Sequence, residues 1–136
     1  MHVPVQNLLI VISRLRVQID WAINLNSHLN HIQFLYLTTI GQMTGKQHQI
    51  EIWFVKYEDK YYVISERREK AHWVQNIIHD PKVSFTVGDK KINGNARIVN
   101  KDMEHKLALE VSKLMDEKYK WSQGMIIELT AINPAN

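Results

Sequence analysis

Leu8, Ile12, Leu15, Ile19, Ala22 and Ile23 recur at spacings of three and four, which places one apolar stripe on a helix over about residues 5–25. Arg14, Arg16, Gln18 and Asp20 fall off that stripe, and the polar stretch 24–30 ends it. The period then changes. Residues 33–40 are rich in aromatic and β-branched side chains and stop at Gly41, 50–57 form a second such run, and 61–65 a third. The polar segment between the first two, with Gly41 and Gly45, reads as a turn. Five charged residues, 66–70, precede a short helix marked by Trp73, Val74, Ile77 and Ile78, which Asp80-Pro81 closes. Val83, Phe85 and Val87 alternate, Gly88-Asp89 turns the chain, and Ile92, Gly94, Ala96 and Ile98 alternate on the way back. Helical spacing resumes at Met103, Leu107, Val111, Leu114 and Met115, and 125–132 reads as a last strand.

About six short strands with hairpin connections predict an α+β fold, an antiparallel sheet closed as a small barrel, with an N-terminal helix and two further helices. No repeat or linker divides the chain. One domain is expected over 1–136, with helix and loop in 1–30 and the barrel in 31–136.

Composition narrows the function more by exclusion. The 136 residues contain no Cys, which removes disulfides, thiol catalysis and Cys-ligated metals, and suits a reducing cytoplasm. Seventeen Lys/Arg against fourteen Asp/Glu give a net charge of +3, spread along the chain. That balance fits a local anion such as a phosphate better than a nucleic-acid backbone. The aliphatic run 8–12 is far too short to span a bilayer, and no basic segment precedes it as in a secretory signal.

No nucleophile-elbow, Walker or dinucleotide-binding motif is present. His28-x-x-His31 has no third ligand nearby, so no metal site is expected. Two polar loops fit an anion instead. In 41–46, glycines allow backbone N–H groups to approach a ligand and Lys46 supplies charge. In 65–70, Arg67 and Arg68 lie just ahead of a helix N-terminus, where the macrodipole also favours phosphate. Taken from the residues alone, each is equally an ordinary turn or a solvated charge run.

The run Thr38-Thr39-Ile40-Gly41-Gln42-Met43-Thr44-Gly45-Lys46 resembles the T-T-x-G-R-x-[ST]-G-x signature of the deazaflavin-dependent nitroreductase/quinone reductase family, flavin-binding split β-barrels related to pyridoxamine phosphate oxidase. Tyr62-Val63-Ile64-Ser65 followed by Trp73-Val74-Gln75-Asn76 is similar to its third strand and "WxxN" helix. Asp80-Pro81-Lys82-Val83 and Gly94-Asn95-Ala96-Arg97 match its next strand entry and return. The resemblance covers residues 35–129.

It implies an oxidoreductase that transfers a hydride between coenzyme F-420, or alternatively FMN, and a small acceptor such as a quinone or nitro compound. By position, Gly41, Gln42, Met43, Thr44, Gly45, Lys46 and His48 would approach the cofactor from the first loop, and Ser65, Arg67 and Arg68 from the second. Trp73 and Asn76 would buttress the site, Ile50, Ile52 and Trp53 would wall a flat ring, and Tyr119 is the candidate proton donor. Pairing as a homodimer is implied as well. Gln42, Met43, His48 and Glu66 stand where the family carries basic residues, which bears on the choice between F-420, with its polyglutamate tail, and FMN. A flavin carrier without turnover, or an interaction protein with an empty barrel, remains as the alternative reading.

Overall fold

The computed structural model describes residues 31–132, so the expected N-terminal helix and His28 lie outside the described residues. The chain divides between Ile32 and Gln33 into two units, and the barrel belongs to the second. Its elements are β1 (Phe34–Ile40), β2 (Gln47–Tyr57), β3 (Lys60–Ser65), a 3-10 turn (Arg68–Lys70), α1 (His72–His79), β4 (Lys82–Val87), β5 (Lys90–Ile98), α2 (His105–Tyr119) and β6 (Met125–Ala131). The strands close an antiparallel barrel in the order β1-β2-β3-β6-β5-β4, with β4 returning to β1. This is the split-barrel, α+β architecture that the strand spacing predicts.

The burial pattern explains why some strands alternate and others do not. In β4 only one face is covered, so Val83, Phe85 and Val87 point inward between polar neighbours. Leu35 and Leu37 meet that row through the pairs Leu35–Val87 and Leu37–Phe85. Strands β3 and β6 are covered on both sides, so apolar residues follow one another over Tyr61–Ile64 and Met125–Ile127 without alternation. Val63, Ile127 and Leu129 fill the barrel, while Tyr62, Ile64 and Ile126 face outward beneath Ala108, Val111 and Met115 of α2. Met103, which continues the apolar spacing of α2 in sequence, precedes that helix and is exposed. On α1, Val74 and Ile77 are buried, but Ile78 is 60% exposed. An eight-residue helix set on the barrel covers a narrower stripe than its spacing suggests.

The barrel is split at β2. This strand is eleven residues long, but it pairs with β3 only through Phe54–Tyr57, whereas β1 takes it from Gln47 to Trp53. The first half of β2 therefore has no β3 partner, and the last residues of β3, Ile64 and Ser65, pair with β6 alone. The chain needs a close approach there: a Cβ on Gly124, whose φ is +141°, would run into the Ser65 carbonyl.

Outside the barrel wall, Glu128 is buried and held by Tyr62 Oη at 2.9 Å and Arg97 Nη2 at 3.0 Å. Arg97 Nη1 reaches on to Glu104 at 2.8 Å. Burial alone would raise the Glu128 carboxyl, but hydrogen bonds from Arg97 and Tyr62 outweigh it and hold it below its ordinary value. Burial and the Glu128 bond together push the Tyr62 phenol well up. These cross-strand partners clamp β3, β6 and β5, with Glu104 tying in the segment ahead of α2.

Candidate functional site

The split opens onto two cavities. The first, of about 640 Å³, is lined by Gly41, Gln42, Met43 and Thr44 from the β1–β2 loop and by His48, Gln49 and Ile50 from β2. Arg67 and the segment from Ala71 to Asn76 close its other side. Its size is that of sites for cofactor-sized ligands, roughly 300–1,000 Å³.

The loop is held by its own backbone and by α1. Gly41 N–H donates to Lys46 O at 2.7 Å and Gly45 N–H to Gly41 O at 2.8 Å, with Gly45 in the left-handed region at φ +71°. Thr44 Oγ1 accepts from Lys46 N–H at 3.2 Å. Asn76, only 7% exposed, makes the link to the helix. Its Nδ2 donates to the buried Thr39 Oγ1 at 3.0 Å, and its Oδ1 accepts the Gln42 N–H at 3.2 Å. A Cβ on Gly41 would lie 2.8 Å from His48 Nε2 and 3.0 Å from Thr44 Oγ1, so glycine keeps this floor open.

The lining holds the Arg67 guanidinium, the imidazoles of His48 and His72, and no carboxylate. Such donors suit an anionic group, bound by charge-assisted hydrogen bonds. Size, open floor and donor set together fit a phosphate-bearing flavin or deazaflavin.

The structure brings nine of the expected cofactor residues to this cavity: Gly41, Gln42, Met43, Thr44, His48, Ile50, Arg67, Trp73 and Asn76. It places the others elsewhere. Gly45 and Lys46 complete the loop outside the lining. Ser65 is 3% exposed, and its Oγ donates to Arg68 O at 2.9 Å, so it shapes the second loop from within. Arg68 is exposed, stands in left-handed backbone at φ 55° and is not in the lining. Trp53 and Ile52 line the second cavity, so the apolar wall expected from Ile50, Ile52 and Trp53 is divided between the two.

Tyr119 is also apart from the first cavity. Its ring stacks on Trp53 at 4.6 Å and 3°, and its hydroxyl is taken up by backbone. Phe54 N–H donates to Oη at 3.0 Å, and Oη lies 2.8 Å from Phe54 O and 2.9 Å from Gln33 O. Burial pushes its phenol up to about 12. This tyrosine ties α2 to β2. The lining residues Gln49, His72 and Gln75, which sequence reasoning missed, carry no motif, and Thr39, buried behind the lining, gains its role only through a partner 37 positions away.

The second cavity, of about 430 Å³, is lined by Phe34, Ile52, Trp53, Ile64 and Trp121 with Glu51 and Glu66. Trp121 meets Trp53 edge-on at 5.8 Å and 75°.

Against this geometry, residues 13–127 match the model of a family described as F420H(2)-dependent quinone reductase. The chain belongs to this family. Among curated proteins none is significantly similar to it. A solved F420-H2 dependent reductase is 27% identical over 71% of this chain and 92% of its own, with a TM-score of 0.50. The heme storage protein HutZ of Vibrio cholerae has a TM-score of 0.64 at 18% identity, covering 81% of this chain and 89% of its own. A Listeria innocua protein named for pyridoxamine 5'-phosphate oxidase has a TM-score of 0.55 at 17% identity, covering 79% and 90%. The last two share the fold. No helix among the described residues is long and apolar enough to cross a membrane.

Proposed function

We propose that this chain is a cytoplasmic oxidoreductase that holds coenzyme F-420 in the first cavity and passes a hydride to a small acceptor such as a quinone or nitro compound. The observation that carries the reading is the convergence of the β1–β2 loop, Arg67 and the start of α1 on one cavity without a carboxylate. Arg67, His48 and His72 would hold the phosphate side, with backbone N–H groups of the Gly41–Thr44 loop. When bound, the cofactor supplies the two electrons and one hydrogen nucleus of the hydride, and a proton from solvent completes the hydroquinone. The protein binds and orients, and the apolar Ile50 and Trp73 exclude water. FMN, with one phosphate and no polyglutamate tail, is the alternative cofactor. Homodimerisation, which the resemblance implies, is part of the reading and is measured by sedimentation.

A second reading, a carrier that binds without turnover, has support in the fold it shares with a protein named for heme storage. Parallel titrations of the protein with F-420, FMN and riboflavin, followed by anaerobic oxidation of reduced F-420 with menadione, separate the cases. F-420 binding with acceptor-dependent turnover is expected. Tight binding without turnover establishes the carrier, preference for FMN replaces the cofactor, and no preference for F-420 or FMN over riboflavin refutes the phosphate site.

A further inference from the structure

The two cavities have opposite electrostatic character and share a boundary. Strand β2 passes from one to the other between Ile50 and Glu51, and the loop after β3 does so between Glu66 and Arg67. The first lining has the Arg67 guanidinium and no acid. The second has Glu51 and Glu66 and no Lys, Arg or His. Both glutamates are exposed, and neither pairs with a cation among the described residues. Lys118 is not in this lining, since its ammonium lies against the Phe54 and Tyr119 rings at 4.0 and 5.1 Å.

The aromatic walls of the second cavity are fixed before any ligand arrives. Trp53, 37% exposed, is stacked on one face by Tyr119, and Tyr119 is pinned through its hydroxyl to Phe54 and Gln33. Trp121 stands almost perpendicular to Trp53, which leaves a corner open to a flat ring. Aromatic faces present negative charge to a ligand, and carboxylates at the rim add to it.

We infer that the second cavity is the acceptor site of the proposed reductase, and that Glu51 and Glu66 make it select planar acceptors of positive charge over negative ones. The word acceptor rests on the reductase reading, whereas the charge selection rests on the cavity alone. The same two carboxylates repel the anionic part of a cofactor, so each ligand is directed to its own side of the split.

Calorimetric titration of the cofactor-free protein at low ionic strength tests the selection with three flat probes: N-methylphenazinium, a cation; naphthoquinone, neutral; and naphthoquinone sulfonate, an anion. The cation should bind at least about tenfold tighter than the anion, with the neutral ring between, because two rim charges act on it with opposite sign. Joint Glu51→Gln and Glu66→Gln substitution, on exposed side chains that leave the fold intact, should bring the three probes within about threefold. Trp121→Ala should weaken all three, and the cation most. An anion bound as tightly as the cation, a ratio unchanged in the double variant, or no binding of any probe would overturn the proposal. In steady state with reduced F-420, the glutamine variants should change KM for charged acceptors and leave kcat alone. Charge-ordered binding without turnover removes the reductase reading and keeps the selection, while turnover indifferent to acceptor charge removes the selection and keeps the reductase.

Discussion

Replacing Asn76 with alanine should unfasten the cofactor loop and lower stability together. The side chain makes two hydrogen bonds, to Thr39 Oγ1 at 3.0 Å and from Gln42 N–H at 3.2 Å. Each is worth about 1 kcal/mol net, and the Thr39 hydroxyl, 1% exposed, then loses a partner where water does not reach, at about 1 kcal/mol more. The sum is about 3 kcal/mol, or roughly 12–24 °C in Tm for a unit of this size. Thr39→Val removes only one of the two bonds and should cost about half as much. In a double-mutant cycle the pair should couple by about 1 kcal/mol. Asn76→Asp retains an acceptor for Gln42 but no donor for Thr39, so its loop should stay closer to wild type than its Tm does.

Urea denaturation gives the energies, and hydrogen exchange of the Gln42 amide reports the loop. The Gly41 amide, held independently by Lys46 O at 2.7 Å, is an internal control. In Asn76→Ala the Gln42 amide should exchange at least about tenfold faster while Gly41 changes less. A Tm change under about 3 °C, or a Gln42 amide exchanging as in wild type, would refute the bridge as the element that positions the loop.

Four further outcomes follow from the same geometry. Arg67→Ala should raise the F-420 dissociation constant about ten- to a hundredfold, while Arg68→Ala, outside the lining, should leave it within about threefold; fluorescence titration decides. Gly41→Ala should weaken the same binding with under about 1 kcal/mol lost in stability, because the crowded neighbour His48 is an exposed side chain that can swing away. Tyr119→Phe should cost about 1–2 kcal/mol in thermal unfolding and leave kcat nearly unchanged, and a large fall in kcat at normal KM would restore its hydroxyl as proton donor. The Glu128 carboxyl sits below its ordinary value of 4.5 in the folded chain, so its contribution is complete above that pH and declines as pH falls through the folded value. The Tm gap between wild type and Glu128→Gln should therefore be widest near neutrality and narrow as the pH falls below 4.5, and a constant gap would contradict the clamp.

Strand and helix positions between residues 33 and 132 were legible in the chain because each carries a local signal. The hairpin Lys82–Val87 and Lys90–Ile98 shows it best: one buried face imposes alternation, and Gly88, at φ 62°, makes the turn. The glycines of the first loop and the cation before α1 were also visible, since they are contiguous in sequence. What the sequence could not show is where strand pairing stops. Pairing of β2 with β3 ends at Phe54–Val63, and this one register fact opens the split, separates Ile50 from Ile52 and Trp53, and makes two cavities of what reads as a single wall. Likewise Asn76 and Thr39, or Tyr119 and Phe54, acquire meaning only when residues 37 and 65 positions apart come within hydrogen-bond reach. Local pattern determines which face of each element seeks the core. Which side chains then meet across the gap depends on closure of the whole barrel, a long-range property that no window of the sequence contains.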